Sequence, residues 1–117
     1  MDSLALARVR RPWGWYETLT ADDGYLVKRL CLSPGRRISL QRHRHRCEHW
    51  VVVKGEGVLQ LEDAAIPAEP GTTLFVPAGA RHRAEAGAMA LEIVEVQRGT
   101  VLSEEDIERF EDDFGRL

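Results

Sequence analysis

Residues 34–57 read PGRRISLQRHRHRCEHWVVVKGEG, opening on a Pro-Gly turn and closing on two glycines that bracket Glu56. Between them, Ile38 to His43 and Trp50 to Val53 have the β-branched and alternating character of short strands. Side chains alternate across a strand, so Gln41 and His43 point to one face. The stretch Arg44 to Cys47 then supplies a turn, and Glu48 begins a returning strand that can face the same interior. A second window, GTTLFVPAGARHRAEA at residues 71–86, repeats the pattern of a glycine turn, a short strand and a histidine, His82, after Pro-Ala-Gly. All four histidines of the chain, His43, His45, His49 and His82, fall in these two windows.

Outward from these windows the same punctuation continues. Turns are expected at Asp23-Gly24, Pro34-Gly35, Gly55, Gly57, Pro70-Gly71, Pro77, Gly79, Gly87 and Gly99, with further strands at Tyr25 to Leu32, Thr73 to Val76 and Leu91 to Val96. Many short strands between Gly/Pro turns predict an all-β sandwich or barrel. The tail differs. Ser103 suits an N-cap, acidic residues follow it, and Ile107, Phe110 and Phe114 recur at helical spacing, which predicts a short C-terminal helix over residues 103–114.

The 117 residues suit one domain, 1–117, with one core. At 44% hydrophobic and 30% charged residues, with no apolar run of membrane-spanning length, the chain reads as soluble, with no membrane partner. Its first residues place arginines after the apolar stretch, the reverse of a secretory signal, so a cytoplasmic location is expected. Cys31 and Cys47 fit no zinc-cluster spacing and are expected to be reduced. A net charge of −3 argues against nucleic-acid binding. Half of the fourteen arginines, Arg36, Arg37, Arg42, Arg44, Arg46, Arg81 and Arg83, nevertheless crowd the two histidine windows, while the tail after Ser103 is acidic. Each of these arginines serves a local anion site, forms a solvated face or pairs with the acidic tail.

Two imidazoles, one carboxylate and one amide oxygen form a borderline-hard ligand set. Gln41, His43, Glu48 and His82 are therefore the expected metal ligands, in a set suited to zinc, iron, manganese or nickel.

The two windows resemble the paired motifs of cupins, with Gln41 where most cupins carry the first histidine of a His-x-His pair. RPWGWYETL at 11–19, VKRL from Val27, the two windows themselves, and IVEVQRGTVLSEEDIERF at 93–110 together resemble the cupin domain of type II mannose-6-phosphate isomerases, over roughly residues 9 to 116. A Gln-x-His pair with a Glu and a later His is also the zinc set of the type I phosphomannose isomerases. The resemblance implies a double-stranded β-helix barrel and metal-assisted interconversion of mannose 6-phosphate and fructose 6-phosphate through a cis-enediol. That family's cupin usually follows a guanylyltransferase domain. No Gly-rich nucleotide loop occurs in residues 1–117, so guanylyl transfer is not expected of the chain.

Within that reading, Arg42, Arg44, Arg46, Arg81 and Arg83 are the candidates to clamp a substrate phosphate by bidentate hydrogen bonds. His45, which shares the parity of His43, is the first candidate for the general base, with Lys28 the second. His49 is a further titratable group, but with the opposite parity to Glu48 it is expected to face outward or pack at an interface. Trp13, Trp15 and Trp50 suit core, dimer or sugar contacts. A homodimer is expected, with the N-terminal RPWGWYETL segment pairing across the interface; an edge strand within the chain would use the same residues. The other readings the residues allow are a non-catalytic sugar-phosphate-binding cupin, another metal-cupin enzyme such as a dioxygenase, and a nucleotide-sugar epimerase.

Overall fold

A computed structural model describes residues 7–117; the residues before these, part of the argument against a secretory signal, lie outside the described residues. Eleven strands follow one another: β1 Val9–Arg11, β2 Gly14–Asp22, β3 Tyr25–Leu32, β4 Leu40–Arg42, β5 Arg46–Lys54, β6 Gly57–Leu61, β7 Ala64–Ala68, β8 Thr73–Val76, β9 His82–Ala86, β10 Leu91–Gly99 and β11 Glu108–Glu111. They form two antiparallel sheets, ordered β1-β2-β3-β10-β5-β8 and β11-β4-β9-β6-β7. Among the described residues no helix is long and apolar enough to cross a membrane.

Alternation builds the interior. On β5 the buried positions are Arg46, Glu48, Trp50 and Val52, and on β10 they are Leu91, Ile93, Glu95 and Gln97. The apolar half of the barrel is filled by Leu32, Trp50, Val52, Leu59, Leu91 and Ile93, all almost fully buried. Its other half receives the polar residues, so one continuous set of inward positions changes from core to site along each strand. Gly55 and Gly57 frame the turn into β6: a Cβ on either would stand about 2 Å from the carbonyl oxygen of Ala90 or Glu85. Only glycine lets the backbones approach so closely.

Two boundaries differ from the sequence reading. The turn spans His43 to His45 and β5 already begins at Arg46, which puts Arg46 on the inward parity of Glu48. The strand expected from Ile38 narrows to β4, because Ile38 instead bonds through its N–H to the carbonyl of Ala84.

The expected C-terminal helix is not formed. Ser103 does start a turn, with Glu105 N–H donating to its Oγ at 3.0 Å and Asp106 N–H to its carbonyl at 3.1 Å, but the turn does not propagate. Instead, β11 pairs antiparallel with β4, Arg109 opposite Gln41 and Glu108 opposite Arg42. A helix of this length is marginal by itself. The extended tail satisfies an open sheet edge and delivers its carboxylates to arginines: Glu108 to Arg42, Glu111 to Arg83 and Asp113 to Arg37. The acidic tail is therefore the partner of much of the basic segment.

The N-terminal segment also pairs within the chain, β1 with β2 and β2 with β3. Cys31 and Cys47 are unbridged and half-buried.

Candidate metal centre

Gln41 on β4 and His82 on β9 are Cα partners across the sheet, and His43 follows Gln41 by two residues at the strand's end. Glu48 projects from β5 of the opposite sheet. His43, Glu48 and His82 are buried, and their ligating atoms lie within 4.8 Å of one another. Ion–ligand bonds of about 2.0–2.2 Å span at most ~4.4 Å across a metal, so small rotamer adjustments close the group around one ion.

Hydrogen bonds fix the tautomers. His43 Nδ1 lies 2.7 Å from the carbonyl oxygen of Asp106, and His82 Nδ1 lies 3.0 Å from that of Ala80. A carbonyl only accepts, so each Nδ1 donates and each Nε2 is left as the inward lone pair. His43 Nε2 faces Glu48 Oε2 at 3.2 Å, and His82 Nε2 faces Glu48 Oε1 at 3.5 Å. His82 Nε2 is buried and has no hydrogen-bond partner. Acceptors meeting around a carboxylate call for a cation between them, and this orphaned nitrogen shows that the residues fit one.

Arg46 supplies part of that positive charge. Its Nε donates to Glu48 Oε2 at 2.9 Å, its Nη2 lies 3.3 Å from His43 Nε2, and its Nη1 donates to the Ser103 carbonyl. Burial pushes the His43 imidazole down, to about 4, against the pull of Glu48. Burial also disfavours charge on His82, but the adjacent Glu48 carboxylate outweighs it and raises its pKa. For Glu48, burial is overcome by His82, His43 and Arg46, which hold the carboxyl below its usual range.

A second carboxylate lies behind the first. Trp50 Nε1 donates to both Glu48 Oε1 and Glu95 Oε1 at 3.0 Å, and Gln97 Nε2 donates to Glu95 Oε2 at 2.6 Å. Burial, with the negative charge of Glu48 nearby, pushes Glu95 up to about 7. Glu95 and Gln97 carry no sequence signal of their own. Their strand alternates Leu91, Ile93, Glu95, Gln97 on one side with Glu92, Val94, Val96, Arg98 on the other, and both sides contain apolar residues, so parity alone does not choose the inner face.

The site opens into a cleft. Gln41, His43, Glu48 and Arg46 line it, with Lys28, Glu95, Tyr16, Trp13 and, unforeseen from the sequence, Arg11, Arg109 and Arg116. Lys28 is buried, sits over the Tyr16 ring at 4.2 Å and pairs with Glu104. His45 is exposed and lies outside this lining, its backbone N–H bonded to Asp106. Of the five arginines expected at the phosphate, the cleft lining includes Arg46 alone. Arg42 and Arg44 turn to Glu108, Arg81 lies over the Phe110 ring, and Arg83 bonds Ile38 O and Glu111. His49 stacks on Phe75 on the outer face, and Trp15 lies under Arg8.

A jelly-roll barrel with a buried histidine–carboxylate group in its interior defines a cupin with a candidate metal site. The same architecture occurs in oxalate decarboxylase from Bacillus subtilis (TM-score 0.81, 16% identity, 91% of this chain and 30% of that one) and in a cupin-2 domain from Rhodospirillum rubrum (TM-score 0.74, 16% identity, 91% and 81%). Residues 3–112 match the family described as mannose-6-phosphate isomerase C-terminal, and the chain belongs to that family. Alginate biosynthesis protein AlgA of Pseudomonas aeruginosa is 42% identical over 109 residues, 92% of this chain and 23% of its own length. The chain thus spans about a quarter of the length of the curated relatives it matches.

Proposed function

We propose that the chain is a metal-dependent sugar-phosphate isomerase that interconverts mannose 6-phosphate and fructose 6-phosphate. The observation that carries this reading is the meeting of two Nε2 lone pairs and the Glu48 carboxylate at the inner end of a cationic cleft. Family membership supplies the substrate class. A divalent ion, zinc first, held by Gln41, His43, Glu48 and His82 would polarise the sugar carbonyl and stabilise the developing oxyanion, a contribution typically of several kcal/mol.

The chain's own groups have the remaining work. One proton must leave C2 of the aldose and return at C1, while a hydroxyl proton passes from O2 to O1. Lys28 and Glu95, directly opposite one another on β3 and β10, line the cleft and are the groups proposed to carry these protons. Lys28 is preferred to the exposed His45. Trp13 and Tyr16 wall the same space and exclude water from one side. A cytoplasmic location belongs to the same reading, since the substrate is a phosphorylated metabolite, and a homodimer is proposed with it on the ground of edge strands to be covered.

The test is metal analysis of the purified protein followed by isomerase assays on phosphorylated aldoses and ketoses. Conversion that disappears on chelation and returns with zinc is expected. Sugar-phosphate binding without turnover at full metal occupancy would replace the isomerase with a binding module, and iron-dependent oxygen uptake would replace it with a dioxygenase.

A further inference from the structure

The cations facing the cleft are not equally available. Arg46 is committed to Glu48 and the Ser103 carbonyl, Lys28 to Glu104, and Arg116 to both oxygens of Asp112 at 2.8 Å. Arg11 donates to the carbonyl of Arg10 and lies over the Tyr16 ring. Arg109 differs. It has no carboxylate within 4 Å and no side-chain hydrogen bond among the described residues, and its Nε is buried without a partner. Arg29 and Arg83 also have an unpaired buried nitrogen, but their guanidinium groups are anchored by Glu17 and by Glu111.

Its position on the sheet gives this orphan a direction. Arg109 is the Cα partner of Gln41 across β11 and β4, and paired residues of an antiparallel ladder project to the same face. Both residues line the cleft. A guanidinium whose Nε is buried and unsatisfied is costly unless an acceptor arrives, and phosphate oxygens match its planar fork.

We propose that Arg109 is the phosphate anchor of the cleft, receiving the phosphoryl group of a sugar monophosphate beside the Gln41 end of the metal-ligand set. This rests on the isomerase reading for the identity of the substrate. It assigns specificity for the phosphorylated sugar to the C-terminal strand, outside the two histidine windows.

The experiment compares wild type, Arg109→Gln, Arg109→Lys and the surface control Arg98→Gln by titration with mannose 6-phosphate, mannose and inorganic phosphate, with metal content measured on each sample. Arg109→Gln should weaken mannose 6-phosphate binding at least tenfold, with Arg109→Lys recovering part of the loss. Metal content and mannose binding should match wild type, as should every property of Arg98→Gln. Binding of mannose 6-phosphate by Arg109→Gln within twofold of wild type overturns the assignment. Should that variant fold poorly, the arginine Nε–H resonances of the wild type decide. A shift of the Arg109 signal on adding inorganic phosphate supports the anchor; a shift confined to Arg44 or Arg81 overturns it. Wild type that binds mannose 6-phosphate through Arg109 without converting it removes the isomerase and leaves the anchor standing.

Discussion

Gln41 and His82, forty-one residues apart in the chain, are direct partners across β4 and β9. This pairing joins the two histidine windows within one sheet, and Glu48 faces them from the other, so the candidate metal group depends on the fold rather than on either window. His82→Ala should therefore remove metal without unfolding the barrel. Metal content at least tenfold below wild type, with an unchanged circular dichroism spectrum, is expected. Full occupancy in the variant would remove His82 from the ligand set.

Trp50 is the shared donor of two buried carboxylates. Trp50→Phe keeps most of the apolar volume and withdraws that hydrogen from both, so a loss of about 1–3 kcal/mol is expected from the unsatisfied acceptors. Urea denaturation at pH 7 measures it. An unchanged midpoint would mean that the indole N–H contributes nothing.

Glu95 has a folded-state pKa raised from 4.5 to about 7 by burial and by the charge of Glu48. A raised pKa means that the folded state binds more protons than the unfolded state between these values. Its stabilising contribution is complete below about 4.5 and is lost as pH rises through about 7. Glu95→Gln lacks this loss. The stability of the variant relative to wild type should increase as pH is raised from 4.5 to 7, read from denaturation midpoints across that range; a difference independent of pH would contradict the shift.

Leu59 is fully buried in the apolar half of the barrel. Leu59→Ala should cost about 2–5 kcal/mol through lost transfer energy and the residual cavity. Metal content should remain at the wild-type level, because Leu59 stands opposite Ala84 rather than opposite a candidate ligand. Thermal melts and metal analysis together separate core damage from site damage.

The homodimer can be read by light scattering at micromolar concentration. A particle of twice the 13.2 kDa chain mass is expected, and one of 13.2 kDa contradicts it. Inside the chain β1 already pairs with β2 and β2 with β3, so any interface uses the exposed side of these strands or another face.

Strand alternation and Gly/Pro punctuation sufficed for the barrel and for bringing His43, Glu48 and His82 together, because both are local rules enforced by one buried interior. The tail departs from its helical periodicity for a physical reason. Ile107, Phe110 and Phe114 do recur at helical spacing, but the unpaired edge of β4 and the arginines beside it favour an extended chain over a short helix. Charge proximity misled in a related way: Arg42, Arg81 and Arg83 flank the ligands in sequence, yet each lies an odd number of residues from its neighbouring histidine and finds its partner outside the cleft. Arg109 and Glu95 enter the cleft from strands whose register no local pattern specifies.

The most direct test of a metal-dependent isomerase is proton NMR of mannose 6-phosphate incubated with zinc-loaded protein, followed until the spectrum stops changing. Fructose 6-phosphate should appear and reach the same final ratio when the reaction starts from either sugar, and chelation or His82→Ala should stop the change. Folded, metal-loaded protein that binds mannose 6-phosphate and leaves its spectrum unaltered contradicts the proposed activity.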